Sequence, residues 1–174
     1  DLQLSRHVEL SLFTLDDRTR WYGAFYTHLN GWSALGQFLV TPLLLRFASL
    51  RAIHLAVPAI HAGLAALALF VPSRATAAAA LMVFKILDYS VFRGAKELIY
   101  VPLSYDARYR AKELIDAFGY RAAKGGMSAI LALAGRIAIL PLALYASVAL
   151  MASLMWIPAA IGLTGRERNK AACP

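Results

Sequence analysis

Lys112, Asp116, Tyr120 and Lys124 recur every four residues along one stretch of the chain. On an α-helix each such step rotates only ~40°, so the four form one slowly turning polar stripe that should line protein or water. Arg121 lies near the stripe, and Lys124 is followed by Gly125-Gly126, where absent side chains let another helix or a ligand approach the backbone. Upstream, Lys85 and Asp88 stand three apart on one helical face. Cations interleaved with tyrosines suit the recognition of an anion, because the cations offset its charge while the ring of Tyr89 or Tyr120 contacts the rest of it.

Bond-making chemistry has no comparable support. The chain contains no GxxxxGK[ST] loop, no GxGxxG, no HExxH and no GxSxG, so no catalytic residue and no cofactor site is expected. His54 and His61 have no carboxylate in their segment and read as core or headgroup residues rather than metal ligands. A single cysteine, Cys173, leaves no internal disulfide, CxxC site or cysteine metal cluster to build.

The elements that must hold these residues follow from composition. Of 174 residues 60% are hydrophobic and only 16% charged, against roughly 25% charged in an ordinary soluble domain. Mean hydropathy is +0.57, and the apolar residues fall in long blocks with the charges gathered between them. That pattern is an all-α, polytopic transmembrane helix bundle of about five spans, forming a single domain over residues 1–174. The expected spans are 21–45, 52–71, 75–92, 115–135 and 137–163, with a polar cytoplasmic connection over 93–112. The first two contain no Asp, Glu, Lys or Arg, and Val71-Pro72-Ser73 predicts a tight break after the second. Pro141 and Pro158 fall in the fifth, where neighbouring helices can satisfy freed backbone groups.

The net charge of +8 reports topology rather than nucleic-acid binding, since the basic residues sit mainly at the ends of apolar segments. One side collects Arg46, Arg51, Arg93, Lys96, Arg108, Arg110, Lys112 and the tail Arg166, Arg168 and Lys170; the other holds little beyond Arg74 and Arg136. The positive-inside rule puts the first group, and with it the C-terminus, in the cytoplasm. The stretch 1–20 is mixed polar and lacks a signal peptide's basic start and apolar run, and a start at Asp1 without Met reads as a piece of a longer chain.

Asp or Lys at the centre of a spanning helix costs on the order of 3 kcal/mol, so such residues face a partner or a watery path. Lys85 and Asp88 either pair with each other or line that path. The stretch from Lys112 to Arg121 is either part of the stripe or cytoplasmic connection, with Lys124 alone lying deep. In the first span His28, Ser33 and Gln37 are roughly four apart, which allows one polar face that reaches a substrate or only other helices.

The run from Leu87-Asp88-Tyr89-Ser90-Val91-Phe92 through Lys96-Glu97 to Tyr100-Val101-Pro102-Leu103 resembles a segment of the ATP/ADP translocase family that reads Tyr-Ser-Leu-Phe, then Lys-Glu, then Tyr-Ile-Pro-Leu. Arg110-Ala111-Lys112-Glu113-Leu114-Ile115-Asp116 is similar to the family's Lys-Gly-Lys-Ala-Ala-Ile-Asp, and Ala123-Lys124-Gly125-Gly126 to its Gly-Lys-Ser-Gly-Gly. The close part covers about Leu87 to Gly126, with looser agreement in the first span. Arg93-Gly94-Ala95 replaces Asp-Pro-x, Ala111 replaces a glycine, and the serine after Lys124 is missing, a pattern nearer to the relatives in free-living bacteria.

The resemblance implies a twelve-span fold similar to the major facilitator arrangement, of which this chain matches spans eight to twelve. The N-terminal helices would then be its intramolecular partner and membrane lipid its surroundings, in a bacterial inner membrane. It further implies a secondary transporter or antiporter that moves an anionic metabolite, a nucleotide such as ATP or ADP among the candidates, by alternating access. Lys124 leads the expected substrate-binding set, with Lys85, Arg121, Asp88, Asp116, Tyr120 and Gln37. Lys96, Glu97, Tyr100, Pro102 and Lys112 are the expected motif and gating residues. The competing expectation is a scaffold with a transporter-like fold that transports nothing and binds lipid or a partner through its basic cytoplasmic face.

Overall fold

The computed structural model describes residues 2–137 and 140–171, with side chains to residue 165. The side chains of Arg166, Arg168 and Lys170, the residue Cys173 and the first residues after Ile137 in the expected fifth span lie outside the described residues.

Six helices make up the described residues: α1 (Leu2–Ser11), α2 (15–47), α3 (Leu50–Phe70), α4 (Arg74–Tyr100), α5 (105–137) and α6 (Leu142–Ala171). The all-α expectation holds, with no strand among the described residues. Each break has a local cause. Thr14, Ser49 and Ser73 cap α2, α3 and α4 by accepting from Asp17, Ala52 and Thr76 backbone N–H groups, and a cap of this kind contributes about 1 kcal/mol. At Ser73 the bond is reciprocated, because the Thr76 hydroxyl accepts from the Ser73 N–H at 3.1 Å. Pro72 lies in the turn before it, as the breaker signal predicted. Pro102 falls in the break between α4 and α5, and Pro141, expected inside the fifth span, stands instead just before α6, which begins at Leu142.

Among the described residues three helices are long and apolar enough to cross a membrane: Leu50–Phe70, Arg74–Tyr100 and Leu142–Gly165. They correspond to the second, third and fifth expected spans; the first and fourth correspond to α2 and α5. The stretch 93–112, expected as a polar connection, is helical except at 101–104. Apolar Ala95, Leu98 and Ile99 let α4 run on past its charges until Pro102 disfavours helix at the residue before it.

Three helices contain a π-helical segment, a wider turn with i→i+5 bonding: Gly36–Val40 in α2, Asp88–Phe92 in α4 and Glu113–Gly119 in α5.

The chain divides into two compact units, residues 1–96 with 142–174, and residues 97–141. In the first, Leu4 and Val8 of α1 bury with Phe25 and Leu29 of α2 and Ala77 of α4. A second cluster joins Ile53 and Val57 of α3 to Val91 and Ala95 of α4, with Trp156 of α6 against it. Helix α3 lies along α6, and the buried residues on the two helices include Ala62, Ala65, Ala68, Ala146 and Ala160, whose small size lets backbones approach closely in lipid. In the second unit α5 buries no residue, and Leu114, Ile115, Phe118, Met127, Ile130 and Leu133 are exposed.

Candidate functional site

Two π segments meet in the first unit. A Cβ built on Gly36 would stand 3.0 Å from Ser90 Oγ and 3.2 Å from Ser90 Cβ, and one built on Gly94 would stand 2.9 Å from Thr41 Cγ2. Helices α2 and α4 therefore cross so closely that any side chain added at these two glycines would press on a neighbour and force it to shift. The hydroxyls at the crossing are consumed locally, Ser90 donating to the Ile86 carbonyl and Thr41 to the Gly36 carbonyl. Asp88 and Tyr89 lie in the π segment of α4, one turn beyond Lys85. Lys85 Nζ donates to the Tyr89 hydroxyl at 3.2 Å and lies 5.3 Å from its ring centroid. No ion pair joins Lys85 to Asp88 among the described residues: the phenol four residues on offers the ammonium both a lone pair and a ring face, and both partners stay half-buried.

The second unit is organised round the turn between α4 and α5. Lys112 pairs with Glu97, and its ammonium lies 5.8 Å from the Tyr100 ring centroid. The Glu97 carboxylate, by accepting from it, holds Lys112 above the usual lysine value. Arg108 Nε donates to the Tyr100 carbonyl at 3.0 Å, which also accepts from the Leu103 N–H, and its Nη2 donates to the Val101 carbonyl at 2.7 Å, so one guanidinium bridges the last residue of α4 and the first of the turn. Along α5, Lys112 and Asp116 are half-buried, while Tyr120, Arg121 and Lys124 are exposed. Lys124 Nζ lies 5.9 Å from the Tyr120 ring centroid, and no carboxylate pairs with it among the described residues.

The π segment of α5 bears directly on the polar stripe. A four-residue step overshoots a full turn by ~40° in an α-helix, whereas in the wider π-helix it falls short of one. Glu113–Gly119 covers the interval from Lys112 to Tyr120, and ordinary α-helix covers that from Tyr120 to Lys124. The two deviations oppose, so the stripe is straighter than the sequence spacing alone implies.

Of the residues expected to bind substrate, the first unit holds Gln37, Lys85 and Asp88, and the second holds Asp116, Tyr120, Arg121 and Lys124. Gln37, Asp88 and Asp116 each fall in a π segment. In α2, Ser33 is buried while His28 and Gln37 are exposed, so the three do not share one environment. His28 Nδ1 bonds the Ala24 carbonyl at 2.7 Å, a local contact within its own helix. An open, apolar hollow of ≈ 540 Å³ runs along α2 from Thr27 to Phe38 and takes in His28 but no other expected site residue. His54 and His61 are buried in the core, and no group of three or more His, Cys, Asp or Glu with metal-binding geometry occurs among the described residues. Sequence reasoning missed Arg108 as the clasp on α4 and Trp156 as a core aromatic. For Arg108 the one signal was a cation six residues past Pro102 in the expected polar connection; for Trp156 there was none.

A family model described as TLC ATP/ADP transporter matches residues 24–166. No curated protein and no solved structure matches the chain.

Proposed function

The chain belongs to the TLC ATP/ADP transporter family, and from that premise we propose that its α5 stripe receives the phosphates of a nucleotide that crosses the membrane by alternating access. Family membership and three helices of spanning length make this an integral membrane protein of a nucleotide-transporting class, not one of enzymes. The finer reading concerns the site. Lys124 carries it: a cation with no carboxylate partner among the described residues, over the Tyr120 ring, at the end of a stripe that the π segment keeps aligned. Its ammonium would neutralise phosphate charge, Tyr120 would contact base or sugar, and Arg121 would add a second cation.

Glu97 and Lys112 act as the gate in this reading, because an ion pair at partial exposure is weak enough to exchange partners during a transport cycle. The five expected spans belong to one membrane domain of a bacterial inner membrane, with the basic residues of 93–112 on the cytoplasmic side.

The test is Lys124→Ala in the full-length protein, assayed by uptake or exchange of labelled ATP and ADP in proteoliposomes. Loss of a charge-assisted contact worth about 1.5–3 kcal/mol should lower transport tenfold or more with insertion intact. Unchanged exchange kinetics would remove Lys124 from the site, and absence of saturable flux for every nucleotide tried would favour the scaffold reading.

A further inference from the structure

Helix α2 buries Phe25, Leu29, Ser33 and Gly36 on one side, and helical spacing puts Thr27, Gly31, Ala34 and Phe38 on the opposite side. That uncovered side carries the open hollow of ≈ 540 Å³, a volume within the range of small-molecule sites, about 300–1,000 Å³. Gly31 lines it, and a Cβ built there would meet nothing within 4 Å. Trp32 and Phe38 also line it, and at 55% and 74% exposed their rings are left largely uncovered by the fold.

Two polar side chains of the hollow have already spent a donor. The Thr27 hydroxyl donates to the Gly23 carbonyl at 2.8 Å, which leaves its oxygen as an acceptor. His28 Nδ1 lies 2.7 Å from the Ala24 carbonyl, which can only accept, so the neutral ring carries its hydrogen on Nδ1 and keeps a lone pair on Nε2. Asn30 and Gln37, exposed on the flank away from His28, make no side-chain hydrogen bond among the described residues. Inside a membrane, open amides of this kind are costly against lipid tails, which favours water or a polar ligand on this side of α2. An apolar helix laid there would leave acceptors and amides unmet. A flat heterocycle with an amino group meets an acceptor and covers the rings.

We propose that this hollow binds the base of an adenine nucleoside or nucleotide, its amino group donating to His28 Nε2 and its ring lying against Trp32 and Phe38 beside the bare backbone of Gly31. Bases stack on aromatic side chains through their π-faces, whatever else they bond to. Hypoxanthine carries an oxygen in place of the amino group, and an acceptor set against an acceptor repels, so the site prefers adenine. The inference rests on the nucleotide-transport reading but not on Lys124, since every residue it uses belongs to the first unit.

The test uses the full-length protein in proteoliposomes, with Cys173 and every cysteine outside this stretch replaced by serine and Gly31→Cys introduced. A charged thiosulfonate reacts with a thiolate, and so only where water reaches the residue. Gly31→Cys should be labelled, and adenosine should slow the labelling about tenfold more effectively than inosine, the factor of one hydrogen bond. Adding His28→Phe, which keeps a ring and removes the acceptor, should erase that preference. An unlabelled thiol means that lipid or a helix covers α2 and overturns the proposal, as does equal protection by the two nucleosides or a preference retained with His28→Phe. If Gly31→Cys does not fold, Ala34→Cys decides by the same readings. Flux of labelled ATP in the cysteine-free parent separates the failures: flux with an unprotected thiol removes the hollow alone, and neither flux nor protection removes the transport reading as well.

Discussion

A Cβ added at Gly36 would press on Ser90 at 3.0 Å, whereas one added at Gly125 or Gly126 would meet nothing within 4 Å. In the sequence Gly125 and Gly126 stand out by following Lys124, whereas Gly36 lies unmarked in an uncharged stretch. At the α2–α4 crossing the missing side chain is used by the fold itself, to bring two π segments together. In α5 the missing side chains leave room that the fold does not use, beside a cation that pairs with no carboxylate among the described residues. A small residue whose space is filled from within the chain stabilises structure; one whose space stays open beside a cation is what the proposed phosphate site would need.

The contrast gives outcomes that differ in sign. Gly36→Leu should cost about 1–3 kcal/mol by overpacking, seen as a lower unfolding midpoint of the detergent-solubilised chain. An unchanged midpoint would mean that the crossing opens freely, and the contrast would fail. Gly125→Ala should instead raise stability by about 0.5–1 kcal/mol through helix propensity while lowering nucleotide uptake. A variant that is both more stable and fully active would show that the open backbone is idle. The smallest effect concerns α1, where burial holds His7 below the ordinary histidine value. With the folded value depressed, His7 supports docking of α1 fully above the unfolded value of 6.5, and that support is lost as pH falls below it towards the folded value. Hydrogen exchange at α1 amides, corrected for intrinsic rate, should therefore speed up on acidification, and His7→Gln should flatten the response.

Helical class and the break at Pro72 were legible because they depend on local chemistry, long uncharged runs and a proline in a short polar turn; Pro141, expected inside the fifth span, instead stands just before α6, where its missing N–H costs no helical bond. Helix α1 was legible only in part. The stretch 1–20 is mixed polar by composition, but Leu4 and Val8 stand one turn apart and both bury. The π segments were not legible, since nothing in Gly-Gln-Phe-Leu-Val or Asp-Tyr-Ser-Val-Phe marks an i→i+5 turn and the close contact of Gly36 with Ser90 joins positions far apart in sequence. The same holds for the partner of Lys85. Spacing allowed Asp88, but the Tyr89 hydroxyl and ring, four residues away, take the ammonium.

The guanidinium of Arg108, fastened to the Tyr100 and Val101 carbonyls, has a mechanical consequence. Arginine keeps its proton throughout the accessible pH range, so this tie survives acid and alkali alike. Residues 101–104 therefore cannot serve as a slack string between two rods. Any tilt of the first turns of α5 tugs on the closing turn of α4, and the elbow transmits force instead of absorbing it.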